Sequence, residues 1–104
     1  MRKHFFQTDL FNKANQLALQ NIEFLLQTWL PGGKRKGDEY EVLNPKRIDN
    51  KAGSFRINMR NGKWADFATE DKGGDTVSLY AYIKSINQAQ AAKEIIRIIG
   101  GCNA

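Results

Sequence analysis

The segment Ser54-Phe55-Arg56-Ile57-Asn58-Met59-Arg60-Asn61-Gly62-Lys63-Trp64 constrains the fold of this chain more than any other. From Ser54 to Arg60 apolar and polar residues alternate strictly. Phe55, Ile57 and Met59 therefore share one face of a strand and Arg56, Asn58 and Arg60 the other. Asn61-Gly62 follows, and both residues tolerate the positive φ of a two-residue hairpin turn. Folding back about that turn pairs Met59 with Trp64, Asn58 with Ala65, Ile57 with Asp66, Arg56 with Phe67 and Arg60 with Lys63. The expectation is a two-faced ribbon: Phe55, Ile57, Met59 and Trp64 face a core, while Arg56, Asn58, Arg60, Lys63 and Phe67 face solvent. The cations at Arg60 and Lys63, directly opposed, repel mildly, a cost that a bound anion removes.

A ribbon with one apolar face needs a second layer to bury it. From Asp9 to Leu30, Phe11, Ala14, Ala18, Ile22, Leu25 and Trp29 recur at helical spacing, which predicts one long helix over about 9–30. Thr8 or Asp9 would cap its start, and Pro31-Gly32-Gly33 would stop it. Lys34-Arg35-Lys36-Gly37 reads as a solvated basic loop. Glu39 to Asn44 reads as a short strand with Tyr40 and Val42 on one face, and a polar loop follows from Lys46 to Gly53. Past the polar stretch Thr69 to Gly74, Asp75 is a good N-cap for a helix from Thr76 to about Ser85. Asn87 with Gln90 starts a second helix carrying Ala91, Ala92, Ile95, Ile98 and Ile99, and Gly100-Gly101 ends it. The expected fold class is α+β. A small antiparallel sheet of about three strands with a central hairpin (39–69) packs with the long N-terminal helix and two C-terminal helices (75–100). The whole of 1–104 forms one domain, a length that suits a single core.

Net charge is +5, and nine of the sixteen basic residues, against only four acids, lie between Lys34 and Lys63. A concentrated positive charge points to a polyanionic partner. The single cysteine, Cys102, excludes an intrachain disulfide, no signal peptide is apparent, and no apolar run approaches the ~18 residues of a membrane span. These features lead to the expectation of a cytoplasmic protein with no membrane partner.

From Asn44 to Gly100 the chain resembles the N-terminal zinc-binding (zinc-ribbon) domain of bacterial and phage DNA primases. The likeness rests on Trp64-Ala65-Asp66-Phe67-Ala68-Thr69, where that family carries a Cys-x-x-Cys strand. It rests also on Gly73-Gly74-Asp75-Thr76-Val77-Ser78-Leu79, where the family has Gly-Gly-Asp and a helix start. Asn44-Pro45 stands in place of Cys-Pro and Arg47 in place of the ligand histidine, so Asn44, Arg47, Asp66 and Thr69 replace all four metal ligands. The sequence therefore predicts no zinc and no other cofactor, since a structural site needs thiolates and imidazoles. The resemblance implies a sheet surface that meets template DNA in replication of a phage, plasmid or other mobile element, beside a helicase or polymerase of the same element.

The solvent face of the ribbon has the parts a single strand needs, cations for phosphates and an aromatic plane for a base. Candidate contacts are Arg56, Asn58, Arg60, Lys63 and Phe67, extended by Lys34, Arg35, Lys36, Lys46 and Arg47. The blander alternative is that alternating polar residues are the wet side of a half-buried hairpin. Gly73-Gly74 before a helix suggests an anion site, but Asp75 would repel an anion, and a tight turn into a capped helix is the better reading. Catalysis is not expected. The sole carboxylate cluster, Glu70, Asp71 and Asp75, is interrupted by Lys72, and no nucleophile and base are paired. The rival reading is a protein interaction or dimerisation module of a replication complex, in which the apolar first helix and the Ile95 to Ile99 helix pack on a partner or a second copy. An exposed apolar stripe on the first helix would mark it.

Overall fold

The computed structural model of the chain describes residues 2–46 and 54–101, with side chains for 9–46 and 54–100. The elements in chain order are α1 (Arg2–Gln20), α2 (Ile22–Trp29), β1 (Lys34–Lys36), β2 (Glu39–Val42), β3 (Phe55–Asn58), β4 (Trp64–Asp66), β5 (Asp71–Gly73), α3 (Thr76–Lys84) and α4 (Gln88–Gly101). The strands form one antiparallel sheet in the order β1-β2-β3-β4-β5, each bonded to its neighbour in sequence.

The α+β class therefore holds, while its detail differs from the sequence expectation in four places. The sheet has five strands, not about three. Lys34-Arg35-Lys36 is strand β1, not a loop. Gly37 adopts φ 60° in a two-residue turn with Asp38, so that Lys36 pairs with Glu39. The polar stretch Asp71–Gly73 is strand β5, paired with β4. Finally, the helix predicted from Asp9 to Leu30 starts at Arg2 and breaks at Asn21. There the side-chain Nδ2 donates to the Leu17 carbonyl at 2.9 Å, and the backbone N–H reaches back to Ala18 at 3.1 Å. A short amide side chain that bonds its own backbone interrupts a helix in this way.

The break has a packing consequence. Before it, Ala14 and Ala18 join Val77, Tyr80, Ala81, Ala91, Ala92, Ile95 and Ile99 in a core made by α1, α3 and α4, to which Leu25 also belongs. After it, Ile22, Leu26 and Leu30 turn onto the sheet and bury Tyr40, Val42, Phe55, Ile57, Met59 and Trp64, with Leu79 from α3. Trp29 packs against both cores. One apolar stripe thus serves two layers because Asn21 redirects it.

The hairpin keeps its predicted faces and changes its register. Arg56 pairs with Ala65 and Ile57 with Trp64, not Arg56 with Phe67 and Met59 with Trp64. Asn58 organises the turn: its Oδ1 accepts from the N–H groups of Arg60 (2.8 Å) and Asn61 (3.2 Å), and its carbonyl accepts from Gly62 N–H (2.8 Å). Its own N–H donates to Lys63 O at 2.7 Å, so the loop is 59–62 and Arg60 does not oppose Lys63. Met59 leaves the ladder and gives its N–H to Asp38 O at 2.7 Å. A displacement of two residues preserves the period of two, and Phe55, Ile57, Met59 and Trp64 are buried as expected.

At the other side of the sheet, α3 starts on a complete capping box. Ser78 N–H donates to Asp75 Oδ1 (2.8 Å), and Asp75 N–H meets Ser78 Oγ (3.4 Å). Asn87 caps α4 through Gln90 N–H at 2.8 Å. Gly62 (φ 82°) lies against the first residue of α3, close enough that a Cβ there would fall 2.7 Å from Thr76 Oγ1. The hairpin turn and the α3 N-terminus are thereby fixed to each other.

Candidate nucleic-acid interface

Because β2, β3 and β4 alternate, every second side chain leaves the core for the opposite face of the sheet. One row across that face runs Lys34, Glu41, Arg56, Ala65, Lys72, and beside it lie Lys36, Glu39, Asn58 and Lys63. The face is not uniformly basic. Glu41 sits between Lys36 (3.3 Å) and Arg56 (3.5 Å), and Glu39 lies 3.8 Å from Arg56. The β2 carboxylates therefore compensate Lys36 on one side and Arg56 on the other, while Lys63 and Lys72 lie further across the face.

On this face Glu39, Arg56, Asn58, Asn61, Lys63, Trp64, Ala65 and Phe67 line a shallow hollow of about 200 Å³. The Arg56 guanidinium stands 5.6 Å from the Phe67 ring centroid, within cation–π range. Phe67 is 67% exposed, the most exposed of the large apolar side chains described. Its N–H is held by Ser54 O at 2.8 Å, which keeps the strand pairing one step past β4. Surface ion pairs such as those of Arg56 contribute only about 0–1 kcal/mol.

Of the ten residues singled out in the sequence, Arg56, Asn58, Lys63 and Phe67 meet around this hollow. Arg60 projects from the turn and pairs with Asp38 at 3.6 Å. Lys34 and Lys36 share the outer face beyond the acidic strand. Arg35 stands opposite buried Tyr40 and pairs with Glu23 of α2, away from the hollow. Lys46 bonds Ser85 and lies over the Tyr82 ring, so it extends no track beside Arg56. Arg47 lies outside the described residues. Sequence reasoning missed Ala65, whose methyl is the floor, and Lys72, placed across from it by β5. It also missed the acids that pin Arg56.

Of the positions aligned with metal ligands, Asn44, Asp66 and Thr69 belong to a hydrogen-bonded polar knot, and Arg47 lies outside the described residues. Buried Asn44 donates from Nδ2 to Asp66 Oδ2 (2.8 Å) and lies 2.9 Å from Tyr82 Oη. Asp66 Oδ1 accepts Ala68 N–H at 2.9 Å, and the Asp66 carbonyl accepts the N–H groups of Thr69 (3.2 Å) and Glu70 (2.7 Å). Tyr82 Oη donates to Asp71 at 2.7 Å. Burial raises the Tyr82 pKa, and the Asp71 hydrogen bond adds to the rise against an opposing one from Asn44. Among the described residues no cluster of His, Cys, Asp and Glu could hold a metal ion, and no helix is long and apolar enough to cross a membrane. Comparison with family models, curated proteins and solved structures finds no match.

Proposed function

We propose that this domain binds single-stranded nucleic acid, DNA in the first instance, on the outer face of β3, β4 and β5, and that it catalyses nothing itself. The observation that carries the reading is the group of Arg56, Lys63 and the exposed Phe67 around one hollow. Cations take phosphates and an aromatic plane takes a base, the combination that non-sequence-specific single-strand sites use. The likeness of residues 44–100 to the primase zinc ribbon supports the same surface. In this reading the knot of Asn44, Asp66 and Tyr82 does the bracing that a metal does there. The domain is then an accessory in replication of a phage, plasmid or mobile element, holding template beside a helicase or polymerase.

The rival is a protein interaction module in which the first helix and the Ile95 to Ile99 helix pack on a partner or a second copy, and its mark is an exposed apolar stripe on the first helix; Ile95 and Ile99 are buried. Ala14, Ala18, Ile22, Leu25, Leu26 and Leu30 are buried, leaving Phe24 as the single large apolar side chain exposed on the described parts of α1 and α2. The test compares Arg56→Gln/Lys63→Gln with Lys93→Gln/Arg97→Gln on α4, both of which remove two charges. Loss of two phosphate contacts by the sheet variant flattens the salt dependence of single-strand binding by roughly 0.7 each, while the α4 variant retains the wild-type slope. Equal effects from both would reduce the binding to diffuse attraction.

A further inference from the structure

The centre of the outer face is an alanine, and its surroundings are unusual for a solvated sheet. Along β4 the outward residues are Lys63, Ala65 and Phe67, successive positions about 6.6–6.8 Å apart. Across the strands Ala65 is paired with Arg56 on one side and Lys72 on the other. A methyl group thus has Lys63, Arg56, Lys72 and the Phe67 ring as its neighbours on the face, and Glu39, ion-paired with Arg56, also lines the hollow above it. The hollow above it, about 200 Å³, is smaller than the roughly 300–1,000 Å³ of pockets that enclose a whole small ligand. It has room for one ring system, with a sugar and phosphate left outside among the cations.

The polar lining is oriented. Asn58 Oδ1 is committed to the N–H groups of Arg60 and Asn61, and Asn61 Oδ1 accepts Lys63 N–H at 2.9 Å. Both asparagines line the hollow, and their Nδ2 groups are the donors they have left. The Arg56 guanidinium lies between Glu39 and Glu41 (3.8 and 3.5 Å) on one side and the Phe67 ring (5.6 Å) on the other, and it walls the hollow. Donors and cations at the rim meet the carbonyl oxygens of a base and the phosphates flanking it.

We infer that the hollow over Ala65 is a subsite for one unstacked nucleobase of a single strand, walled by Arg56 and Phe67, with Lys63 and Lys72 on the adjoining phosphates. The inference rests on the proposed single-strand binding and specifies where a base enters. Ala65 is the residue that decides it, because a bulky apolar side chain on that strand position occupies the subsite without altering charge.

The experiment measures binding of oligo-dT, whose bases stack weakly on one another and carry two carbonyls, and of an abasic strand of equal length. The proteins are the wild type, Ala65→Leu, Ala65→Val and Ala65→Ser. Valine favours a strand, so it keeps the test informative if the leucine variant unfolds, and thermal unfolding checks all four. Filling the hollow with leucine or valine is expected to weaken oligo-dT binding roughly tenfold, the scale of one lost base contact. Serine leaves binding near wild type. The abasic strand binds all four proteins equally, because it has no base to exclude. Oligo-dT binding that is unchanged in folded Ala65→Leu and Ala65→Val overturns the subsite. If Arg56→Gln/Lys63→Gln still weakens binding in that event, the phosphate-binding surface survives without it. Absence of any binding by the wild type overturns both.

Discussion

Gly62→Ala tests the link between the hairpin that carries the candidate site and the helical layer beneath it. Gly62 has φ 82°, where an alanine costs about 1–3 kcal/mol, offset by about 0.4–1 kcal/mol from the stiffer unfolded chain. Its Cβ would also stand 2.7 Å from Thr76 Oγ1 and 3.0 Å from Thr76 N. Neither atom gives way easily, since one belongs to a buried β-branched side chain and the other to the first turn of α3. Overpacking of this kind costs a further ~1–3 kcal/mol, so the total destabilisation is about 2–5 kcal/mol. Gly37→Ala is the control. It too has positive φ (60°), but a Cβ there meets nothing within 4 Å, so it carries the backbone strain alone. Urea unfolding of the wild type and both variants separates the two contributions. A loss at Gly62 no greater than at Gly37 would refute the docking of the turn on α3, and with it the placement of Asn61 and Lys63.

Two other outcomes follow from the same packing. Ile57→Ala, fully buried between the sheet and α2, is expected to lose about 2–5 kcal/mol in urea unfolding; an unchanged midpoint would mean the ribbon faces are inverted. Tyr80 is held up to a pKa of about 12 by burial and then by its 2.9 Å hydrogen bond to Glu94. A folded pKa above the unfolded value of about 10 means full stability below pH 10 and loss as pH rises through 12. The tyrosine should therefore contribute about 1.4 kcal/mol less at pH 11 than at pH 8. Chemical denaturation of Tyr80→Phe, compared with the wild type at both pH values, isolates that difference, and equal pH dependence in the two proteins would contradict it.

What could be read from the sequence was whatever repeats with a period. The faces of β3 and β4 were legible because Phe55, Ile57 and Trp64 alternate with polar residues, and α3 and α4 because Asp75 and Asn87 are caps. Register was not legible, since Asn61-Gly62 signals a two-residue turn and the Asn58 side chain overrides it by capturing two N–H groups. The break at Asn21 was hidden by an apolar stripe that continues at helical spacing on both sides. β1 and β5 escaped because Lys34-Arg35-Lys36 and Asp71-Lys72-Gly73 have no apolar residue. They are edge strands, where charge is common. Arg56, Asn58, Lys63 and Phe67 of the candidate site followed from the alternation along the ribbon. The grouping of Ala65 with Lys72 depends on strand pairing that no local pattern encodes.

The central claim is tested most directly by titrating the wild-type protein with oligo-dT and with a duplex of the same length over a series of salt concentrations. Contacts from Arg56, Lys63 and Lys72 predict that the logarithm of single-strand affinity falls linearly with the logarithm of salt concentration, with a slope of about −2 for three phosphates at roughly 0.7 each. The single strand should bind more tightly than the duplex at every salt concentration, because Phe67 and the hollow beside it can receive only an unpaired base. Duplex binding as tight as single-strand binding, or no measurable binding of oligo-dT at low salt, would contradict the account.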